Sequence, residues 1–142
     1  MATSLTFTGT LFTSASLLLS ASQTTPIVVA QGGTNGARVY GIGVTTNSAV
    51  AAIHVLTLSS SISNARVSAL AVTANAGWTN GTAQFDFFGN AAPAAMFQKQ
   101  KDANGVPYFN LAPNTFLTMF TSGTLNTTAG TTSSIFTIGE FY

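Results

Sequence analysis

Short runs of β-branched and aromatic residues recur along this chain at intervals of about ten residues, and turn-forming residues separate them. Such side chains fit the pleated surface of a sheet, whereas Glu, Lys and Arg, common on helix surfaces, are scarce. Eight or nine strands are predicted from among the runs at 4–13, 26–30, 37–46, 50–58, 66–73, 84–88, 94–100, 106–109, 115–121 and 133–138. This spacing predicts an all-β chain: a single-domain antiparallel β-sandwich over residues 1–142, jelly-roll-like, with an extended N-terminal segment.

Two turns and one face pattern are specific predictions within that fold. Residues 31–36, Gln-Gly-Gly-Thr-Asn-Gly, form a predicted loop in which several positions can take positive φ. Asp102 is predicted to open a turn that ends at Gly105. Strict alternation along residues 37–46 places four side chains on one face of the strand, namely Arg38, Tyr40, Ile42 and Val44.

Charged residues are nearly absent from the sequence. An ordinary domain is about one quarter charged, yet four basic and three acidic side chains are all that this chain of 142 residues has, giving a net charge of +1. They are Arg38, Arg66, Lys99, Lys101, Asp86, Asp102 and Glu140. A free monomer with such a surface has little electrostatic protection against association. The chain is therefore predicted to be one component of a larger protein assembly.

The same composition excludes several classes of partner. Four basic groups are too few for the many phosphate contacts of a nucleic-acid binder, so no direct DNA or RNA contact is predicted. No apolar run approaches the ~20 residues that span a bilayer. The run Leu17–Leu19 has no Lys or Arg before it and is too short for the apolar region of a signal peptide, so no cleaved signal is expected.

Candidates for chemistry are equally few. His54 is the single histidine, lies between Ile53 and Val55 in a predicted strand, and is interpreted as a structural residue. The three acids match no catalytic motif, no Gly-x-Ser-x-Gly elbow is present, and there is no Cys. The loop at 32–36 lacks the Gly-Lys-Ser/Thr ending of a phosphate-binding loop. The sequence predicts no catalytic residue, no metal site and no cofactor, and hence no enzyme.

Three groups of residues are candidate contact sites. Residues 1–30 carry no charge and are predicted to contact other subunits, as an arm or an exchanged edge strand, through Leu5, Phe7, Phe12, Leu17, Leu18, Leu19, Ile27 and Val28. The charge cluster of Lys99, Lys101 and Asp102 is either a solvated hairpin tip or a docking contact for an acidic groove. Trp78 and Tyr108 either contact a partner or stack on a sugar.

Three segments, taken in order, resemble a known family. They are Asn35-Gly36-Ala37-Arg38-Val39, Leu111-Ala112-Pro113-Asn114-Thr115-Phe116-Leu117 and the terminal Gly139-Glu140-Phe141-Tyr142. Over about residues 33–142 the chain resembles the small β-sandwich virion proteins of tailed bacteriophages, most of all the capsid decoration or cement proteins.

The resemblance implies a non-enzymatic structural protein on the outer capsid surface of the virion. Such a protein binds the major capsid protein, stabilises contacts between capsomers, and associates with itself as a homo-oligomer, with a trimer favoured over a dimer. Two other functions stay open: another phage structural module, such as a tail, head-fibre or adaptor component, and a carbohydrate-binding β-sandwich.

Overall fold

The computed structural model describes residues 10–19, 26–60, 64–90, 100–122 and 131–142. Their secondary structure is almost entirely β, as the sequence predicts. The elements are β1 (Thr10–Leu19), β2 (Ile27–Gln31), β3 (Ala37–Thr46), β4 (Ala52–Ser59), β5 (Asn64–Val72), β6 (Phe85–Asp86), α1 (Phe87–Asn90), β7 (Gln100–Lys101), β8 (Pro107–Leu111), β9 (Phe116–Ser122) and β10 (Thr132–Phe141). No helix among the described residues is long and apolar enough to cross a membrane.

The strands form two antiparallel sheets that pack face to face. Sheet A has the order β1-β10-β3-β8-β7, with β6 also pairing β3, and sheet B has the order β2-β9-β4-β5. The core between the sheets is apolar and includes Val39, Ile42, Val44, Leu56, Phe87, Phe109, Leu111, Leu117, Met119 and Ile135, each no more than 7% exposed. The predicted all-β sandwich is therefore confirmed. A fully buried Val, Leu, Ile, Phe or Met side chain in this core stabilises the folded state by about 1.5–3 kcal/mol relative to an exposed one.

A bulge in β3 overturns the predicted face pattern of that strand. Gly41 lies opposite Ile138 of β10 and Val39 lies opposite Gly139, so Tyr40 is an extra residue on β3. An extra residue reverses the alternation, and Val39 before the bulge faces the same core as Ile42 and Val44 after it. The prediction that Arg38 and Tyr40 share a face with Ile42 and Val44 is wrong for this reason.

Local chemistry also changes the strand predicted at 84–88. Only Phe85 and Asp86 pair with β3, and the chain then turns into the short helix α1. The carboxylate of Asp86 starts this helix, because its Oδ1 accepts a hydrogen bond of 2.8 Å from the backbone N–H of Gly89. The short polar side chain therefore ends the strand earlier than the aromatic pattern alone indicates.

The predicted turns are confirmed, and two predicted strands extend into residues that the structure does not describe. Gly33 and Gly36 in the loop after β2 have φ of 63° and 95°, and Gly105 has φ of 79°. Residues 10–13 of the strand predicted at 4–13 lie in β1, which continues to Leu19, and residues 4–9 lie outside the described part of the chain. Of the strand predicted at 94–100, residues 94–99 lie outside the described part of the chain.

Candidate functional site

The densest group of polar and charged side chains lies on the outer face of sheet A, near the start of β3. Nη1 of Arg38 is 3.3 Å from Oε1 of Glu140, which lies on the neighbouring strand β10. Glu140 is completely buried, and the hydroxyl of Tyr40 donates to the same Oε1 at 3.2 Å. The β3 bulge creates this arrangement, since it turns Tyr40 away from the core and towards Glu140.

Two tyrosine rings enclose the guanidinium of Arg38. Its Cζ atom is 4.8 Å from the ring centroid of Tyr108 and 5.1 Å from that of Tyr142, within the range of cation–π attraction. Nε of Arg38 donates to the hydroxyl of Tyr142 at 2.7 Å, and that hydroxyl donates to Oδ1 of Asn110 at 3.0 Å. We call Arg38, Tyr40, Tyr108, Glu140 and Tyr142 the Arg38 cluster.

The electrostatics of the Arg38 cluster favour a fixed charge state. The hydrogen bond to Tyr142 is the largest cause that raises the pKa of Arg38 above its ordinary value. Burial raises the pKa of Tyr40, so its phenol stays neutral at physiological pH. The guanidinium is thus a permanent cation held between an anion and two rings. This chemistry suits a clamp that fastens the end of β10 to β3 and β8.

The two aromatic residues predicted as sugar or partner contacts lie far apart. Tyr108 belongs to the Arg38 cluster, is 9% exposed, and its ring centroid lies 5.9 Å from that of Tyr40 at an interplanar angle of 56°. Trp78 is 61% exposed in the loop after β5, where the carbonyl of Ala76 accepts the backbone N–H of Thr46. Tyr40 and Thr46 are six residues apart on β3, a separation of about 20 Å. The structure therefore does not bring Trp78 and Tyr108 into one platform.

In the charged turn, the carboxylate of Asp102 stabilises the turn itself. Oδ1 of Asp102 accepts the backbone N–H groups of Asn104 at 2.8 Å and Val106 at 2.9 Å, which closes the turn. Lys101 is exposed in β7, and Lys99 lies outside the described residues. Of the three residues proposed for docking, Lys101 alone is shown with its side chain in solvent.

His54 is fully buried between the sheets. Its Nδ1 lies 3.1 Å from the carbonyl oxygen of Ala52 and its Nε2 lies 3.0 Å from Oγ of Ser133. A carbonyl can only accept, so Nδ1 carries the proton and Nε2 accepts from the serine hydroxyl. Although a Ser–His contact resembles a nucleophile and its base, His54 and Ser133 are both 0% exposed and no substrate can reach them. Within the described ranges no group of acids and His could hold a metal ion.

The structure places the residues predicted to contact other subunits in two edge strands. Residues 10–19 form β1 at one edge of sheet A, and residues 27–31 form β2 at one edge of sheet B. Phe12 stacks on Phe141 at 4.6 Å, Ile27 is half-buried, and Val28 is 44% exposed. Residues 17–19 lie in β1 opposite 132–134 of β10, whereas Leu5 and Phe7 lie outside the described residues. Their contact with another subunit stays a prediction.

Apart from Val28, sequence reasoning missed the exposed apolar side chains on the outer faces of both sheets. Leu11 (50%) and Phe136 (46%) project from sheet A, and Ile53 (46%), Val28 (44%) and Phe116 (37%) project from sheet B. We call these five residues the outer apolar set. Apolar residues at adjacent positions, as in Ile135-Phe136, were the available signal, since one of two neighbours in a strand faces outwards.

Sheet A also has a shallow groove on its outer face. The groove has a volume of about 350 Å³, and Gly41 and Gly43 form its floor beside Phe136 and Asp86. A second groove of about 230 Å³ lies between β1 and β2 and reaches the rings of Phe12 and Phe141. Both are open to solvent rather than enclosed, and the first has a mainly apolar lining.

The few charges are mostly used inside the fold. Of the six described charged residues, Arg38 pairs with Glu140, Asp86 bonds to α1, and Asp102 closes its turn. The other two, Arg66 and Lys101, make no such contact and are exposed to solvent, as is Asp86. Among the described residues, the solvent-facing surface thus has these three exposed charges. Comparison with known proteins adds no relative, because no family model, curated protein or solved structure matches the chain.

Proposed function

We propose that this protein is a structural virion protein that binds the outside of a bacteriophage capsid and stabilises contacts between capsomers. One observation carries the proposal: the outer apolar set lies on both faces of a sandwich whose described surface offers Arg66 and Lys101 as charges without a partner inside the fold. Where exposed apolar side chains join into a contiguous patch, they mark a site of protein interaction. A component with two such faces can bridge two neighbours.

The spatial arrangement of the resembling segments supports the same proposal. Residues 35–39, 111–117 and 139–142 are distant in sequence but meet around the Arg38 cluster. Ala37 pairs with Leu111, Arg38 with Glu140, and the N–H of Tyr142 donates to the carbonyl of Gly36 at 3.1 Å. The pattern shared with the phage proteins thus corresponds to one structural unit.

A repetitive shell explains how such a surface is useful. Each copy needs only modest contacts with the capsid, because an oligomer that engages several sites at once gains avidity. Apolar contact supplies affinity without charge pairing, which fits a chain with seven charged residues. The proposed location is the outer capsid surface, with the major capsid protein and further copies of this chain as partners.

Electron microscopy of particles that carry a labelled copy tests the location. We expect density between capsomers over all capsid faces. Density confined to the tail or to vertices would contradict the proposal and favour a tail, head-fibre or adaptor component.

Binding of purified variants to assembled shells tests the surface. Ile53→Lys and Phe136→Lys place a charge on sheet B and on sheet A, and Thr34→Lys, in the exposed loop after β2, is the matched control. We expect Ile53→Lys or Phe136→Lys, or both, to weaken binding tenfold or more, because contact with the shell would bury the introduced charge without a partner. The control should bind as the unmodified chain does. Unchanged binding by both variants, with folding verified by thermal unfolding, would refute the proposed surface.

A further inference from the structure

β1 is a long strand with one fully paired side. All ten of its residues align with β10 without a register shift, from Thr10 opposite Phe141 to Leu19 opposite Thr132. Among the described residues no strand pairs with its other side. In an antiparallel strand about half of the backbone N–H and C=O groups point to each side, so β1 presents a row of them at its open edge.

The other sheet edges of the described structure are protected against further pairing, and β1 is not. β2 has five residues and a bulge at Val29. β5 has a bulge at Val67 and the exposed cation of Arg66. The far edge of sheet A ends in the two-residue strands β6 and β7. β1 has no charge, no Pro and no bulge, the features that keep natural edges from pairing.

We infer that β1 pairs antiparallel with β1 of a second copy of this chain. This inference rests on the proposed function, because such pairing serves assembly. A second copy is the occupant that the structure supports, because an uncharged strand offers no charge complementarity to a foreign partner. It does offer an identical open edge, and pairing about a two-fold axis satisfies both edges at once.

The geometry of a sheet fixes the position of that axis within narrow limits. In antiparallel strands, two residues directly opposite each other point to the same face of the sheet. Because side chains alternate along β1, a position in one copy and the opposite position in the other must both be odd-numbered or both be even-numbered. One residue therefore lies opposite its own copy, and the two-fold axis runs between these two. An axis at Ser14 or at Ala15 gives the longest overlap, nine residues of β1 on each side.

This pairing joins two copies of sheet A, each of six strands, into one continuous sheet of twelve strands. Leu11, half exposed in the single chain, comes to lie opposite position 17 or 19 of the second copy. A trimer cannot close in this way, since one antiparallel edge pairs with only one other edge. The inference thus replaces the trimer expected from the sequence with a two-fold pair.

Disulfide trapping tests the register directly. The chain has no Cys, so a single introduced cysteine can form a disulfide only with another molecule. The test variants are Ser14→Cys and Ala15→Cys, and the controls are Leu11→Cys on the same strand and Ala69→Cys on the exposed face of β5. Residues opposite each other have Cα atoms about 4.5–5.5 Å apart, which suits a disulfide, whereas two copies of position 11 are separated by about 20 Å or more.

We expect one of the two test variants to form a covalent dimer at least ten times faster than both controls. Equal rates at all four positions would overturn the inference, and so would a disulfide from position 14 or 15 to a different protein on assembled particles.

An independent variant, Thr13→Lys, adds a charge at an exposed position of the β1 edge. Sedimentation equilibrium of the purified protein should show at least tenfold weaker self-association, while Ala69→Lys, the matched control on β5, associates as the unmodified chain does. Unchanged association of Thr13→Lys, or a monomeric unmodified chain at all concentrations, would refute the pairing. Shell binding is measured separately, so a chain that decorates shells without self-pairing would refute this inference and leave the proposed function standing.

Discussion

At the scale of single residues, His54 shows how far sequence reasoning extends. Its burial could be predicted, because Ile53 and Val55 flank it in a strand. Its partner could not be predicted, because Ser133 is 79 positions away and belongs to the other sheet. The contact exists only when the two sheets pack, so no local pattern encodes it.

Burial of His54 makes stability depend on pH. Desolvation lowers the pKa of the folded His54 below the ordinary value of 6.5. The unfolded chain therefore binds a proton more readily, and stability present above pH 6.5 is lost as the pH falls below it, by at most about 1.4 kcal/mol per pH unit.

Urea unfolding at pH 7.0, 6.0 and 5.0 measures this loss. His54→Gln removes the single histidine and should flatten the profile over this range. An unmodified chain that is equally stable at pH 7.0 and 5.0 would contradict the prediction.

At the scale of elements, β3 shows which part of a strand the sequence encodes. Its predicted bounds, residues 37–46, match the observed ones, since local propensity and the flanking turns determine them. The predicted orientation of its side chains was wrong beyond the bulge, because the bulge depends on pairing with β10. A Cβ at Gly139 would be 2.3 Å from the carbonyl oxygen of Arg38 and 2.6 Å from the ring of Phe12. Register between distant strands is thus determined by tertiary contacts.

The Arg38 cluster should contribute strongly to stability at this junction of β3, β8 and β10. Arg38→Met keeps the stem but leaves the carboxylate of Glu140 buried without its cation, and we expect a loss of about 3 kcal/mol. Tyr142→Phe removes one hydroxyl from the exposed side of the cluster and should cost about 1 kcal/mol. Urea unfolding of both variants measures the difference. Equal losses would show that Glu140 does not depend on the charge of Arg38.

At the scale of the whole molecule, the sequence predicted two properties that the structure has. The short β-forming runs predicted sheets, and the small number of charged residues predicted a surface with little charge. The positions of the edges could not be predicted, because strand order depends on which distant runs meet. The candidate contact residues Phe12, Ile27 and Val28 consequently proved to lie in strands of the sandwich itself.

Deletion of residues 1–22 tests the role of β1 in the fold. The deletion removes a strand that is paired to β10 along ten residues, so the melting midpoint should fall by at least about 10 °C. Deletion of residues 1–9 keeps β1 and is the control, and the fall caused by removing residues 1–22 is measured relative to it. Calorimetry compares the two. A fully stable chain without residues 1–22 would mean that β1 adds nothing to the sandwich.

The internal use of most charges has a consequence for salt. Dissolved ions weaken attraction and repulsion between exposed charges, and the described surface has little of either to weaken. Screening of charges by salt should therefore change the stability of the folded chain little. What salt does change is the cohesion of water around the outer apolar set, and salts such as sulfate strengthen apolar association. A particle built from such components would hold together more firmly as its surroundings become saltier.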